Sequence, residues 1–178
     1  MKEARLRQGE HGLVPEGEGW FVVDARETRW GSTEQMGRYV AFEPGEARFA
    51  ELGVNIHVIE PGQPNSMYHA EDTQEGFLVL SGECLLIVEG EERRLGPWDF
   101  FHCPGGTAHV LVGAGEGPCA ILMVGARTPD DRIVYPADET ARRHGAAVEV
   151  ETTLPAEAYA HVDRPVDARY RDGDLPER

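Results

Sequence analysis

The chain has 178 residues, 40% hydrophobic and 28% charged, which suits one soluble globular domain with arms and a core that needs no disulfides. Its 32 acidic residues outnumber 17 basic ones, and the resulting net charge of −15 opposes the phosphate contacts on which nucleic-acid binding rests. No apolar run approaches the roughly 20 residues of a membrane helix, and MKEARLRQGEHG lacks the apolar centre of a secretion signal. A cytoplasmic protein without nucleic-acid or membrane partners is therefore expected.

From the N-terminus onward, Gly and Pro separate short runs rich in β-branched and aromatic residues: WFVVDA, GRYVAFE, GVNIHVIE, FLVL, CLLIVE, DFFHC, HVLV and AILMVG. Many short strands divided by turns predict an all-β sandwich or barrel. Glu89-Gly90 between CLLIV and EERRL predicts a hairpin, with Arg93 and Arg94 turned at least partly to water. GAGEGP, residues 113–118, predicts a loop between two further strands. Residues 136–145, PADETARRHG, begin acidic, end basic and stop at glycine, the pattern of a short helix. Residues 155–160 predict one more turn. The polar stretch from His161 onward reads as an arm lying on the barrel or on a partner subunit. The predicted division is 1–45 for N-terminal strands and arm, 46–126 for the barrel, and 127–178 for a C-terminal extension with a short helix.

Cys84, Cys103 and Cys119 form no CxxC pair and sit in strand-like surroundings, so buried free thiols are expected. The chemistry concentrates elsewhere. YHAEDTQE, residues 68–75, holds one histidine and three carboxylates ahead of an apolar run. It reads either as a metal site at a strand mouth or as a solvated loop. On a strand, positions i and i+2 share a face, so His69 and Glu71 can project together, with Glu75 opening the next strand after a bend. His109 follows a Pro-Gly-Gly turn that can present it at the same barrel mouth. Imidazoles and carboxylates converging without thiolates suit a divalent cation such as Zn, Fe, Mn or Ni.

Two blocks, PGQPNSMYHAEDTQEGFLVLSGE and GPWDFFHCPGGTAHVLVGAG, together resemble the two short signatures of the cupin superfamily. In the first, Glu75 and Gly82 stand at the family spacing, and counting back from Glu75 sets His69 and Glu71 at the two positions of the family's His-x-His. In the second, Pro104, Gly106 and His109 match, whereas Trp98 stands where glycine is usual and Gly113 where asparagine is usual. The resemblance implies a double-stranded β-helix (cupin, jelly-roll) barrel over about residues 50–125, with one divalent metal held by His69, Glu71, Glu75 and His109. It also implies a homodimer. A two-histidine, two-carboxylate set would cancel the charge of a divalent ion. With Glu71 facing solvent instead, two histidines and one carboxylate would leave three positions open, as in non-haem iron oxygenases. The function this implies is a metal-dependent enzyme acting on a small organic molecule, or else a non-catalytic barrel that binds a small ligand beside a structural metal. His57 reads as a satisfied or exposed strand histidine. Trp98, Phe101 and Phe77 read as core or interface residues rather than pocket lining. For any shared metal, the rings of His69 and His109 must lie within about 6 Å, given ligand bonds near 2.1 Å.

Overall fold

The structure is a computed structural model that describes residues 1–43 and 48–177. The boundary expected at 45/46 lies outside the described residues. A hairpin of β1 (Arg5–Gly9) and β2 (Gly12–Glu16) leads to β3 (Trp30–Thr33), β4 (Gly37–Ala41) and β5 (Leu52–Ile59). The central run is β6 (Ala70–Glu71), β7 (Glu75–Ser81), β8 (Glu83–Val88), β9 (Glu91–Leu95), β10 (Phe100–Cys103), β11 (His109–Ala114) and β12 (Cys119–Ala126). The extension adds β13 (Ile133–Val134), α1 (Glu139–Arg143), α2 (Pro155–Ala158) and β14 (Val166–Ala168).

Seven strands pair in the order β10-β7-β12-β5-β4-β3-β14, and a second sheet runs β11-β8-β9. The two sheets close on one apolar core, giving the double-stranded β-helix architecture. Strand alternation decides which side chains enter that core. Phe77 and Val79 from β7, Ile121 and Met123 from β12, and Cys84 and Leu86 from β8 meet there, with Leu111 from β11. All three cysteines are free and buried. The hairpin between β8 and β9 turns on Glu89 and Gly90, both at positive φ, the conformation a two-residue connection favours.

The opposite faces of these strands are covered unequally. Leu85 and Ile87 on β8 and Val110 and Val112 on β11 pack under Ala141 of α1 and Ala146. That cover explains why HVLV reads as a continuous apolar run: β11 is buried on both faces. Asp138 caps α1 by accepting from the Ala141 amide at 2.7 Å. Behind β4 and β5, Trp30, Val40 and Val58 pack with Ala120 and Leu175 of the tail. Here the polar tail is structural, since β14 pairs with β3 and Asp174 is buried against two arginines. Arg38 Nε donates to its Oδ2 at 2.7 Å and Arg171 Nε to its Oδ1 at 2.9 Å.

One expectation fails. WFVVDA forms no strand; Trp20 makes only an isolated bridge with Glu3, and Trp20 and Val22, on one parity, are both exposed. With no neighbouring strand to pair its backbone, propensity alone does not extend it. Trp98, expected in the core or at an interface, lies outside the core, 74% exposed in the turn before β10.

Candidate metal centre

His69 and His109 come from separate hairpins and are joined through the backbone. The His109 amide donates to the His69 carbonyl at 2.8 Å, and the His69 amide returns to the His109 carbonyl at 3.2 Å. The Pro-Gly-Gly turn locks the same pair of segments together, because the Gly106 amide donates to the Glu71 carbonyl at 2.6 Å. Gly105 must lack a side chain there, since a Cβ would run into the Asp72 carbonyl oxygen. The two imidazole rings lie 4.9 Å apart between centroids.

Each ring is held by the carbonyl two residues before it. His69 Nδ1 meets the Met67 carbonyl at 2.7 Å and His109 Nδ1 meets the Thr107 carbonyl at 3.1 Å. A carbonyl only accepts, so each Nδ1 carries the proton and each Nε2 turns a lone pair toward the interior. Glu75, the first residue of β7, brings a carboxylate oxygen to 3.3 Å from His109 Nε2. Ligand atoms of His69, Glu75 and His109 all fall within 4.8 Å of one another.

Burial shapes this cluster. His109 is 1% exposed; burial, and then the neighbouring His69, push its pKa down to about 4. Burial also lowers that of His69. Glu75 moves the other way, up to about 8, through burial and the nearby Glu71 and Asp131. At neutral pH the imidazole and carboxyl are therefore both uncharged, and His109 Nε2 is a buried nitrogen without a hydrogen-bond partner. Two lone-pair donors and a carboxyl aimed at one point fit a divalent cation better than they fit one another. Cys103 supports the ring from behind, its sulfur 3.4 Å from His109 Nδ1. Its neighbour His102 is exposed, as strand alternation requires.

Glu71 stands beside this group rather than inside it. Its Oε1 is 3.9 Å from His69 Nε2, and burial, then Asp131, raises its pKa. His57 is the satisfied strand histidine expected: Nε2 meets the Met36 carbonyl at 2.8 Å, and burial pushes its pKa down to about 4. The cluster opens on a cavity of about 460 Å³, with Asn55, Asn65 and Ser66 on its wall and Glu71, Arg127 and Asp131 around it. Phe77 belongs to both core and cavity, with its ring edge-on to His109 at 5.0 Å. Arg127 is already engaged by the Glu43 carboxylate and the Phe49 carbonyl. These wall residues come from distant strands and carry no spacing signal in the sequence; only the inward parity of Asn55, shared with Ile59, hints at one of them.

A sheet-bound His–Glu–His group that could hold a metal ion stands at the mouth of a small β-barrel, and that pairing defines the class of protein. Residues 55–125 match the cupin domain family, and the barrel is a cupin domain. The departures from the family pattern have local causes: Trp98 adopts the positive φ of 73° that glycine supplies elsewhere, and a Cβ on Gly113 would strike the Glu60 carbonyl.

Among solved structures, KdgF from Halomonas sp. is 24% identical with a TM-score of 0.51, over 64% of this chain and 98% of that one. A putative sugar phosphate isomerase from Acidithiobacillus ferrooxidans ATCC 23270 is 29% identical with a TM-score of 0.45, over 47% of this chain and 55% of that one. A sugar phosphate isomerase of the cupin superfamily from Silicibacter pomeroyi DSS-3 is 24% identical with a TM-score of 0.49, over 72% and 73% respectively. The chain thus spans about half the length of the Acidithiobacillus protein. No curated protein matches it. The Halomonas match speaks to the fold. No helix among the described residues is long and apolar enough to cross a membrane.

Proposed function

We propose that the protein is a metal-dependent enzyme acting on a small organic molecule, with one divalent ion held by His69, Glu75 and His109 and with Glu71 as fourth ligand. The observation that carries this reading is the gathering of three ligand atoms within 4.8 Å, each imidazole presenting Nε2 because a backbone carbonyl holds its other nitrogen. When bound, the ion would supply Lewis-acid activation of a carbonyl or of water. The remaining roles belong to the chain. Phe77 and Met123 give the cavity an apolar wall, and Glu71 Oε1 stands 3.9 Å from His69 Nε2, beside the set. The cavity has room for one small molecule beside the ion. A homodimer and a place in the cytoplasm belong to the same proposal, as does the three-part division of the chain.

Metal analysis of protein purified without chelator is expected to find about one ion per chain. His69→Ala and His109→Ala should each remove most of it, and unchanged occupancy would overturn the assignment. Turnover that depends on which ion is loaded distinguishes the enzyme from a binder with a structural metal.

A further inference from the structure

The wall of the cavity away from the histidines is polar but under-satisfied. Asn55 Oδ1 and Ser66 Oγ are buried without a hydrogen-bond partner among the described residues. Between them in character stands Asn65, whose Oδ1 accepts from the Leu111 amide at 2.8 Å while its Nδ2 meets only the Met123 sulfur at 3.8 Å. Buried polar atoms are nearly always paired, so an acceptor, a hydroxyl and a weakly engaged donor on one wall call for a partner. Thioether sulfur is a poor acceptor and leaves the Asn65 amide able to do better.

The wall sits within reach of the metal cluster. On β12, Met123 is the register partner of Asn55 and Gly125 that of Glu75. Asn55 and Glu75 are therefore separated by one intervening strand and a two-residue offset along it, about 12 Å from backbone to backbone. Ser66 lies three residues before His69. A molecule of a few heavy atoms can touch both ends.

We propose that Asn55, Asn65 and Ser66 form a hydroxyl-recognition wall, so that the cavity takes a small hydroxycarboxylate with its carboxylate toward His69, Glu75 and His109. A hydroxyl group is the simplest partner that both gives a proton to the Asn55 acceptor and accepts one from the Asn65 amide. The inference rests on the metal-binding reading of the same cavity. Its own content is the identity of the opposite wall.

The test uses metal-loaded full-length protein and three acids of equal charge and carbon count: propionate, lactate and glycerate. Lactate and glycerate share the hydroxyl next to the carboxylate, so chelation is matched and only the outer hydroxyl differs. Glycerate is expected to bind at least about tenfold more tightly than lactate, because a site built to bond a hydroxyl rejects the analogue without it. Asn55→Leu and Ser66→Ala should each cut that preference to below about threefold with metal content unchanged. Asn55→Leu, similar in size and free of the orphan acceptor, should melt at or above the wild-type temperature. Equal affinity for lactate and glycerate, no binding of any of the three, or a preference that survives in the double variant would overturn the proposal. So would loss of metal from the variants, which would make these residues supports of the centre. Wild-type protein that holds no metal would instead sink the parent reading.

Discussion

Two carboxylates in this molecule, one buried and one half-buried, have opposite fates. Asp174, in the C-terminal tail, is fully enclosed and answered twice, by Arg38 and by Arg171. Glu75, at the mouth of the barrel, is held against His109 with no arginine bonded to it among the described residues, and its pKa is pushed up to about 8. The first is a structural pin whose partners the chain itself supplies. The second is an ionisable group withdrawn from water that no cation among the described residues answers, and such a group in a cavity marks a candidate functional site. Charge compensation from within marks the first region and its absence marks the second.

The largest expected effect comes from breaking the compensated pair. Arg38→Ala leaves Asp174 buried with one partner and should cost about 3–5 kcal/mol in chemical denaturation. Glu75→Gln should do nearly the reverse in metal-free protein. At pH 7 the buried carboxyl is largely protonated, so its amide is expected to fall within about 0.5 kcal/mol of wild type.

Metal sharpens the contrast. At about a thousandfold excess over its dissociation constant, a divalent ion should stabilise the wild type by about 4 kcal/mol, and Glu75→Gln should gain almost none of that. An equal gain in both proteins would remove Glu75 from the centre.

His57 supplies a third buried polar group, satisfied by a backbone carbonyl. Its pKa in the fold lies at about 4, below the usual 6.5, so the folded state prefers the neutral ring. That preference adds stability above pH 6.5 and is lost as pH falls through 4. His57→Gln keeps a donor for Met36 and should flatten the acid loss by on the order of 1–3 kcal/mol, read from denaturation midpoints between pH 7 and 4.

The smallest effect is expected at Trp98, whose φ of 73° strains a bulky side chain. Trp98→Gly should add about 1 kcal/mol, measured by the same method, and leave metal content unchanged.

The barrel strands were legible because their burial is periodic. FLVL, CLLIV and AILMV each carry the inward residues the core uses. The outer strands were not. RLRQG and VDA are mostly exposed, so their pairing rests on backbone bonds that leave no apolar trace. WFVVDA shows the converse error, strand-forming residues with no strand beside them. At the site, the resemblance of two short blocks to family signatures pointed to His69, Glu75 and His109, which the fold brings together, and to Glu71, which stands beside them. Asn55, Asn65, Ser66 and Asp131 reach the cavity only through the three-dimensional closure of the sheets, which no local pattern encodes.

The carbonyls of Met67 and Thr107 have a consequence for how this centre tolerates change. Aim is set by main-chain oxygen within a tripeptide, so it is indifferent to which side chain stands at 67 or 107. Saturation mutagenesis at those two positions should leave ring orientation intact wherever the loop still folds. The directional information of the centre travels with two short stretches of backbone rather than with the side chains at 67 and 107.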